Sequence, residues 1–267
     1  MGSFLGSVLA GLVLAGLSGL LALATGPATS ARADAGSAGT IPAAGATTAR
    51  VIKFSPGLSL AFNATTSTYG ATTVITAHLA RTYTNHVVWI YDQVAGHASS
   101  LIGHGDVNSR GDFTVRYKAA STSAISAVFT GDADVAAATA SHVVRVRAAV
   151  SESIGGYYGS TKSGGITYRL YTTSGTLTTR STVGPNKRGQ CVTLELWEND
   201  NGGAGWYLNS DTSCLTLNSS SQLSYPFSLT HASAGTGISY RIRADYAPTT
   251  DKTNLGNDSS WQYFIVY

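Results

Sequence analysis

Two cysteines, a few aromatics and scattered acids are the residues of this chain that could do chemistry. Cys191 and Cys214 are its only cysteines, and an even pair in an exported chain reads as a disulfide. Trp197, Trp206 and Tyr207 crowd the same stretch. Outward aromatic rings bind sugar rings or apolar partner surfaces over a large area at low entropic cost. The competing reading is packing: Trp197 and Trp206 would cover the disulfide and each other as a cross-strand pair. Glu195 and Glu198 resemble a glycosidase carboxylate pair only on paper. Three apart on one strand, they project to opposite faces and cannot flank one bond.

The remaining polar clusters are weaker. Glu198-Asn199-Asp200-Asn201-Gly202 alternates oxygen side chains loosely in the manner of a calcium loop. It lacks the downstream bidentate acid such a loop needs, and Asp, Asn and Gly are ordinary hairpin residues. Asp132 with Asp134, and Asp106 with Asp112, mark further acidic turns. Arg110-Gly111-Asp112 is an integrin-type tripeptide on an expected exposed turn, where Gly-Asp is common material. The histidines at 78, 86, 97, 104, 142 and 231 have no accompanying Cys or acid spacing that completes a zinc site. His104 lies near Asp106, but no Gly-x-Ser-x-Gly turn marks a nucleophile. There is also no His-Glu-x-x-His and no phosphate-cradling loop. The expectation is a non-catalytic protein with no metal and no cofactor.

The elements that must hold these residues are strands. Val192, Leu194 and Leu196 alternate with Cys191, Thr193, Glu195 and Trp197, and Leu215 and Leu217 alternate with Cys214 and Thr216. If the Leu faces look into a core, the two cysteines look outward from neighbouring strands and can meet. Charged residues are only 12% of the chain and net charge is +3, spread without clusters. That composition, rich in Thr, Ser, Gly and Tyr, suits short strands and turns. It offers no basic patch for nucleic acid.

The first residues read as a targeting segment. Phe4–Leu23 is apolar and uncharged, and Ala31-Arg32-Ala33 gives a small-x-small cleavage pattern, so a signal peptide is expected over residues 1–33. Its n-region lacks Lys and Arg. The alternative is an uncleaved anchor, since about 20 apolar residues can span a bilayer. Residues 34–49, low in bulky apolar side chains, are expected to be a disordered spacer. The mature chain would then be secreted and extracellular, with no membrane span.

From residue 50 the pattern occurs twice. Apolar runs at sandwich-like spacing fill 50–148, and the order repeats over 165–267. Thr72–Asp92 matches Thr176–Glu198, Phe113–Tyr117 matches Leu223–Leu229, Ala124–Phe129 matches Ile238–Tyr246, and Val143–Arg147 matches Gln262–Val266. Residues 149–164, with Gly155-Gly156 and Gly164-Gly165, are expected to be a linker, with Tyr157 and Tyr158 packing between the modules. Arg145/Arg147 and Arg241/Arg243 are expected on the solvent faces of equivalent strands.

Thr68-Tyr69-Gly70, Trp89-Ile90-Tyr91-Asp92 and Phe129-Thr130-Gly131-Asp132-Ala133-Asp134 give the first half its resemblance to bacterial Ig-like repeat domains of secreted and cell-surface proteins. Tyr240–Tyr246 and Ser260–Phe264 give the second half a similar look. The resemblance implies an all-β chain of two tandem Ig-like antiparallel β-sandwiches, used for binding, adhesion or spacing. Its partner would be an extracellular protein or a polysaccharide; the alternative function is a carbohydrate-binding module using Trp197, Trp206 and Tyr207. A Cys191–Cys214 bridge between neighbouring strands departs from the antibody type, which joins two sheets.

Overall fold

The computed structural model describes residues 53–81, 86–199, 205–234 and 238–267. The expected signal peptide and spacer lie outside them. Every element described is a strand. Among the described residues no helix is long and apolar enough to cross a membrane.

The first sandwich comprises β1 (Leu58–Phe62), β2 (Thr66–Thr68), β3 (Thr72–Leu79), β4 (Val87–Val94), β5 (Ser100–Asp106), β6 (Asp112–Lys118), β7 (Ser123–Phe129) and β8 (Ala138–Arg147). One sheet runs β1-β3-β6 and the other β2-β8-β7-β4-β5. The second sandwich comprises β9 (Ala149–Gly155), β10 (Gly159–Ser163), β11 (Ile166–Tyr171), β12 (Thr176–Gly184), β13 (Cys191–Asn199), β14 (Tyr207–Asp211), β15 (Leu215–Thr216), β16 (Gln222–Ser228), β17 (Ser239–Tyr246), β18 (Asn257–Asp258) and β19 (Gln262–Val266). Its sheets run β16-β12-β9 and β10-β11-β19-β17-β13-β14, with β15 on β13 and β18 on β17.

These are the same wiring used twice. In each copy a small sheet of three strands covers a larger one. In each larger sheet a strand from early in the module runs parallel to the last, β2 beside β8 and β11 beside β19, while the other pairings are antiparallel. This is an Ig-type strand order. All four segment matches found in the sequence fall on topologically equivalent strands: β3–β4 with β12–β13, β6 with β16, β7 with β17, and β8 with β19. Even the irregularities coincide. The register slips between Ile90 and Tyr91 against β5, and between Leu196 and Trp197 against β14. Such bulges bend an edge and set its twist, so their recurrence is a shared device.

Strict alternation builds both cores. Ile75, Ala77, Leu79, Ile90, Ile125, Ala127, Val144 and Val146 are fully buried in the first. Leu177, Leu194, Tyr240, Ile242, Ala244, Phe264 and Val266 fill the second. Val192 and Leu194 are buried as the alternation requires, and Cys191 and Cys214 are joined with their Cα atoms 5.4 Å apart. Closing a loop of this length contributes about 3 kcal/mol in the chain-entropy picture.

Three expectations are corrected. Residues 149–164 are not a linker: β9 pairs with β12, and β10 with β11. Its inward residues Val150 and Ile154 pack on the core, so hydrophobic alternation outweighs the Gly-rich flanks. Tyr157 and Tyr158 do not fill the gap between modules; Tyr157 lies 6.3 Å from Tyr171 and 4.4 Å from Arg169, within the second sandwich, and Tyr158 is 61% exposed. Arg145 and Arg147 lie on β8, whose counterpart is β19, whereas Arg241 and Arg243 lie on β17.

The junction is a single residue. Ala148, fully buried, is all that separates β8 from β9. The loop between β17 and β19 folds back along the first sandwich. Ala148 N–H donates to Leu255 O at 2.9 Å, Leu255 N–H to Val146 O at 2.8 Å, and Asn257 Nδ2 to Ala148 O at 2.9 Å. Under this loop Lys187 is buried, donating to Asp251, to Asn254 Oδ1 at 2.8 Å and to Thr253 Oγ1 at 3.2 Å. Asn254 in turn donates to Ala120 O of the first sandwich at 3.1 Å. Burial raises the Asp251 carboxyl, but hydrogen bonds from Lys187 and Thr253 and the Lys187 charge outweigh it and hold the group at about 2.

Candidate binding face of the second sandwich

Alternation that sends Leu194 and Ile242 inward sends Glu195, Trp197, Arg241 and Arg243 outward, on the side of the larger sheet away from the core. The pairings line them up. Trp197 sits opposite Arg241, Arg241 opposite Tyr263, and Tyr263 opposite Tyr168; on the other flank Trp197 faces Leu208. One row thus crosses β11, β19, β17, β13 and β14 as Tyr168, Tyr263, Arg241, Trp197 and Leu208. At about 4.8 Å per strand it spans about 19 Å.

Three indoles surround the guanidinium at the centre. Arg241 Cζ lies 4.2 Å from the Trp261 ring centroid, 4.6 Å from Trp206 and 5.1 Å from Trp197. Trp197 and Trp261 meet edge to face at 6.0 Å, Trp206 and Tyr263 at 5.8 Å, and Tyr168 and Tyr263 at 5.8 Å. Each cation–π contact is worth about 0.5–2 kcal/mol, more as water is excluded.

The two arginines of β17 differ in their electrostatics. Arg243 donates through Nε to Glu195 at 2.8 Å and through Nη1 to Asp258 at 2.6 Å, and it also lies 4.5 Å from the Trp261 ring. Its partial burial works against its charge, but the two carboxylates outweigh that and raise its pKa. Glu195 also accepts from Trp197 Nε1 at 3.2 Å. Arg241 has no carboxylate and no hydrogen-bond partner among the described residues, and its Nε is buried and unpaired. Further along β17, burial raises the Asp245 carboxyl to about 6, helped by neighbouring Asp258 and Glu195.

The structure brings Trp197 and Trp206 together through Arg241 rather than against each other. The disulfide lies at the other end of β13, so neither ring covers it. Tyr207, 42% exposed, pairs with Glu198 and so falls on the opposite side of the sheet edge from Trp197. Glu198 is buried and accepts from Asn209 Nδ2, as its inward phase requires. The calcium-like turn runs beyond the described residues at 200–204. Among the described residues no group of three His, Cys, Asp or Glu is placed to hold a metal. His104 stacks on Trp89 at 4.4 Å, His78 bonds Asp112 at 2.8 Å and His86 bonds Asp132 at 2.9 Å.

The Arg110-Gly111-Asp112 turn has a structural explanation. A Cβ on Gly111, at φ 84°, would lie 2.3 Å from Leu79 O, so glycine is demanded by the close approach. Asp112 is occupied by His78.

Neither a family model nor a curated protein matches the sequence. Solved structures similar to the chain include the tetra-tandem repeat in the extending region of a large adhesion protein, at 12% identity, covering 78% of this chain and 48% of that one, with a TM-score of 0.35. Trypsin-activated alpha-2-macroglobulin from Escherichia coli matches at 9% identity over 81% of this chain and 16% of that one, with a TM-score of 0.31. The D0-D1 domain of intimin matches at 13% identity over 78% and 97%, with a TM-score of 0.27. The chain therefore spans about half of the first of these and a small part of the second. Bacterial adhesion repeats are among the structures it resembles, but the likeness is loose, and the Ig-type order stands on the strand pairings of this chain itself.

Sequence reasoning missed Trp261, Tyr263 and Tyr168, and it treated Arg241 as one of two plain surface charges. Trp261 precedes a strand and carries no alternation of its own. The usable signal was the match of Ala124–Phe129 to Ile238–Tyr246, which makes β17 central and therefore sets Arg241 beside Trp197.

Proposed function

We propose that this protein is an extracellular, non-catalytic pair of Ig-like modules whose second sandwich binds its target through the outer face of the larger sheet. The observation that carries this reading is the row Tyr168–Tyr263–Arg241–Trp197–Leu208 with Trp206 and Trp261 around it. Apolar rings combined with an unspent cation are interface chemistry, whereas the solvated face of a spacer needs only small polar side chains. The disulfide fits an oxidising compartment outside the cell. The non-catalytic part is supported by the employment of the acids: Glu198 by Asn209, Asp251 by Lys187, and Glu195 by Arg243.

The target is a polysaccharide or an extracellular protein, and the ring-rich face favours the polysaccharide. Sedimentation of the full chain with a panel of insoluble polysaccharides tests this. Retention that falls at least tenfold in the Trp197→Ala/Trp206→Ala variant, with the β-sheet circular dichroism unchanged, is the expected result. Absence of retention on every polysaccharide removes the sugar reading and leaves a protein partner.

A further inference from the structure

We infer that Arg241 makes this face selective for an acidic polysaccharide, with the guanidinium taking the carboxylate of a uronic acid residue while the neighbouring rings take the sugar. The inference rests on the polysaccharide reading above and adds the chemical class of the ligand.

The case begins with two arginines two residues apart on one strand, presented to the same side. Arg243 is neutralised by Glu195 and Asp258. Arg241 touches three aromatic faces and no anion, and none of its N–H groups has an acceptor among the described residues. Ring faces attract a cation but accept little from the in-plane N–H fork, which matches a carboxylate bidentately. Glu195 does not supply that carboxylate: its Oε2 accepts from Arg243 Nε and Trp197 Nε1, and no hydrogen bond joins it to Arg241. The charge is therefore complementary to an anion that none of the described residues supplies.

The surroundings narrow the anion. Tyr263 and Tyr168 continue the row on one side, and Trp197 and exposed Leu208 on the other. A bare phosphate or sulfate ion would use none of these rings. A carboxylate carried on a sugar ring uses both, with the ring stacked and the acid on the guanidinium. The row of about 19 Å across five strands accepts several consecutive sugars, so a polymer binds better than its monomer.

The test is affinity electrophoresis of the full chain in gels containing polygalacturonate, alginate or neutral hydroxyethylcellulose. The wild-type chain is expected to be retarded by the polyuronates and not by the neutral polymer. Arg241→Met should lose at least tenfold in affinity. Arg241→Lys, which keeps a charge among the indoles but no planar fork, should lose about fivefold. Arg145→Gln, on the first sandwich, should match wild type. Equal retardation by the neutral polymer, with Arg241→Met unaffected and Trp206→Ala impaired, would overturn the acidic selectivity while leaving the aromatic face as the site. Equal losses in Arg145→Gln and Arg241→Met would mean diffuse charge attraction and would overturn it too. No retardation in any gel would remove the polysaccharide reading along with the inference.

Discussion

At matched positions the two sandwiches put different residues into the same register. On the inside, Leu60 pairs with Ala77 in the first, while Glu152 pairs with Ser181 in the second. The match is fixed by Leu79 and Val183, which donate to Gly111 O and Ser221 O at equivalent turns. On the outside, Tyr91 faces Ser126 and Trp89 faces Val128 in the first, while Trp197 faces Arg241 and Glu195 faces Arg243 in the second. The bulge beside Tyr91 and Trp197 confirms that equivalence. The aromatic-out, acid-in step is kept: Asp92 and Glu198 are both buried, the former accepting from Tyr117 Oη at 2.7 Å. The backbone therefore does not determine which copy is specialised. At the compared pairs the first copy has Leu60 and Ala77 inside and a small-residue outer patch on β7, where the second has Glu152 and Ser181 inside and arginines outside.

The largest expected effect concerns the junction, whose buried ion pair comes from the second copy's loops alone. Lys187 and Asp251 are each 5% exposed. Removing one partner strands the other charge, which costs about 3–5 kcal/mol. Lys187→Ala should lower the urea midpoint accordingly. It should also raise hydrogen exchange at the backbone amides of Ala148, Leu255 and Thr122, whose bonds join the sandwiches. A Lys187→Met/Asp251→Leu variant should recover most of the loss. If Lys187→Ala unfolds no more easily than wild type, the two copies are independent beads and the comparison loses its structural asymmetry.

Next is the inner pair. Burial pushes the Glu152 carboxyl up to about 7, against hydrogen bonds from Ser181 and the Arg180 backbone that pull it down, and its Oε1 has no partner. The folded value exceeds the unfolded one, so folding binds the proton. The contribution is complete below pH about 4.5, shrinks as pH rises, and is gone above about 7. The span corresponds to about 3 kcal/mol. Replacing the pair with its first-copy counterparts, Glu152→Leu/Ser181→Ala, should raise stability at pH 8 by up to that amount and flatten the second copy's stability between pH 5 and 8. Urea titrations at several pH values measure it. A variant with an unchanged pH slope would mean that Glu152 keeps its charge in the core.

How legible this was depended on range. β3, Thr72–Leu79, is legible because eight residues of alternation and flanking turns are local information. The hairpin of Cys191 and Cys214 was legible for the same reason. β9 was not, because Val150 and Ile154 are its only bulky apolar residues, and its partner β12 lies beyond a further hairpin. The candidate face was half legible. Trp197 and Trp206 announce themselves by type, but Arg241 becomes their neighbour only through the β13–β17 pairing, which joins residues far apart in sequence. Tyr207 shows the converse: adjacent to Trp206 in sequence, it is carried to the other side of the sheet by the pleat.

The smallest effect tests whether the copies share more than strand order. Asn108 takes the backbone N–H groups of Arg110 and Asp112 at 2.8 and 3.0 Å, and Asn218 takes those of Ser220 and Gln222 at 2.9 and 3.0 Å. Backbone bonds from Gly111 to Asn108 O and from Ser221 to Asn218 O close both turns, at 2.8 and 2.9 Å. The positive-φ residue is handled differently in the two turns. Gly111 avoids the carbonyl of Leu79, whereas Ser221, at φ 60°, donates Oγ to the equivalent carbonyl of Val183 at 2.6 Å. The second copy has thus replaced a steric exclusion with a hydrogen bond, without moving the asparagine that builds the turn. Asn108→Ala and Asn218→Ala should therefore each cost about 1 kcal/mol, the worth of the side-chain bonds lost. They should agree within about 0.5 kcal/mol, and being far apart they should add in the double variant. Unequal losses in chemical denaturation would mean that Ser221, with its second bond from Lys187 N–H at 2.9 Å, has taken over the turn in the second copy. The Arg110-Gly111-Asp112 sequence is then one of two solutions to a single turn, and its resemblance to an adhesion tripeptide follows from the geometry Asn108 imposes.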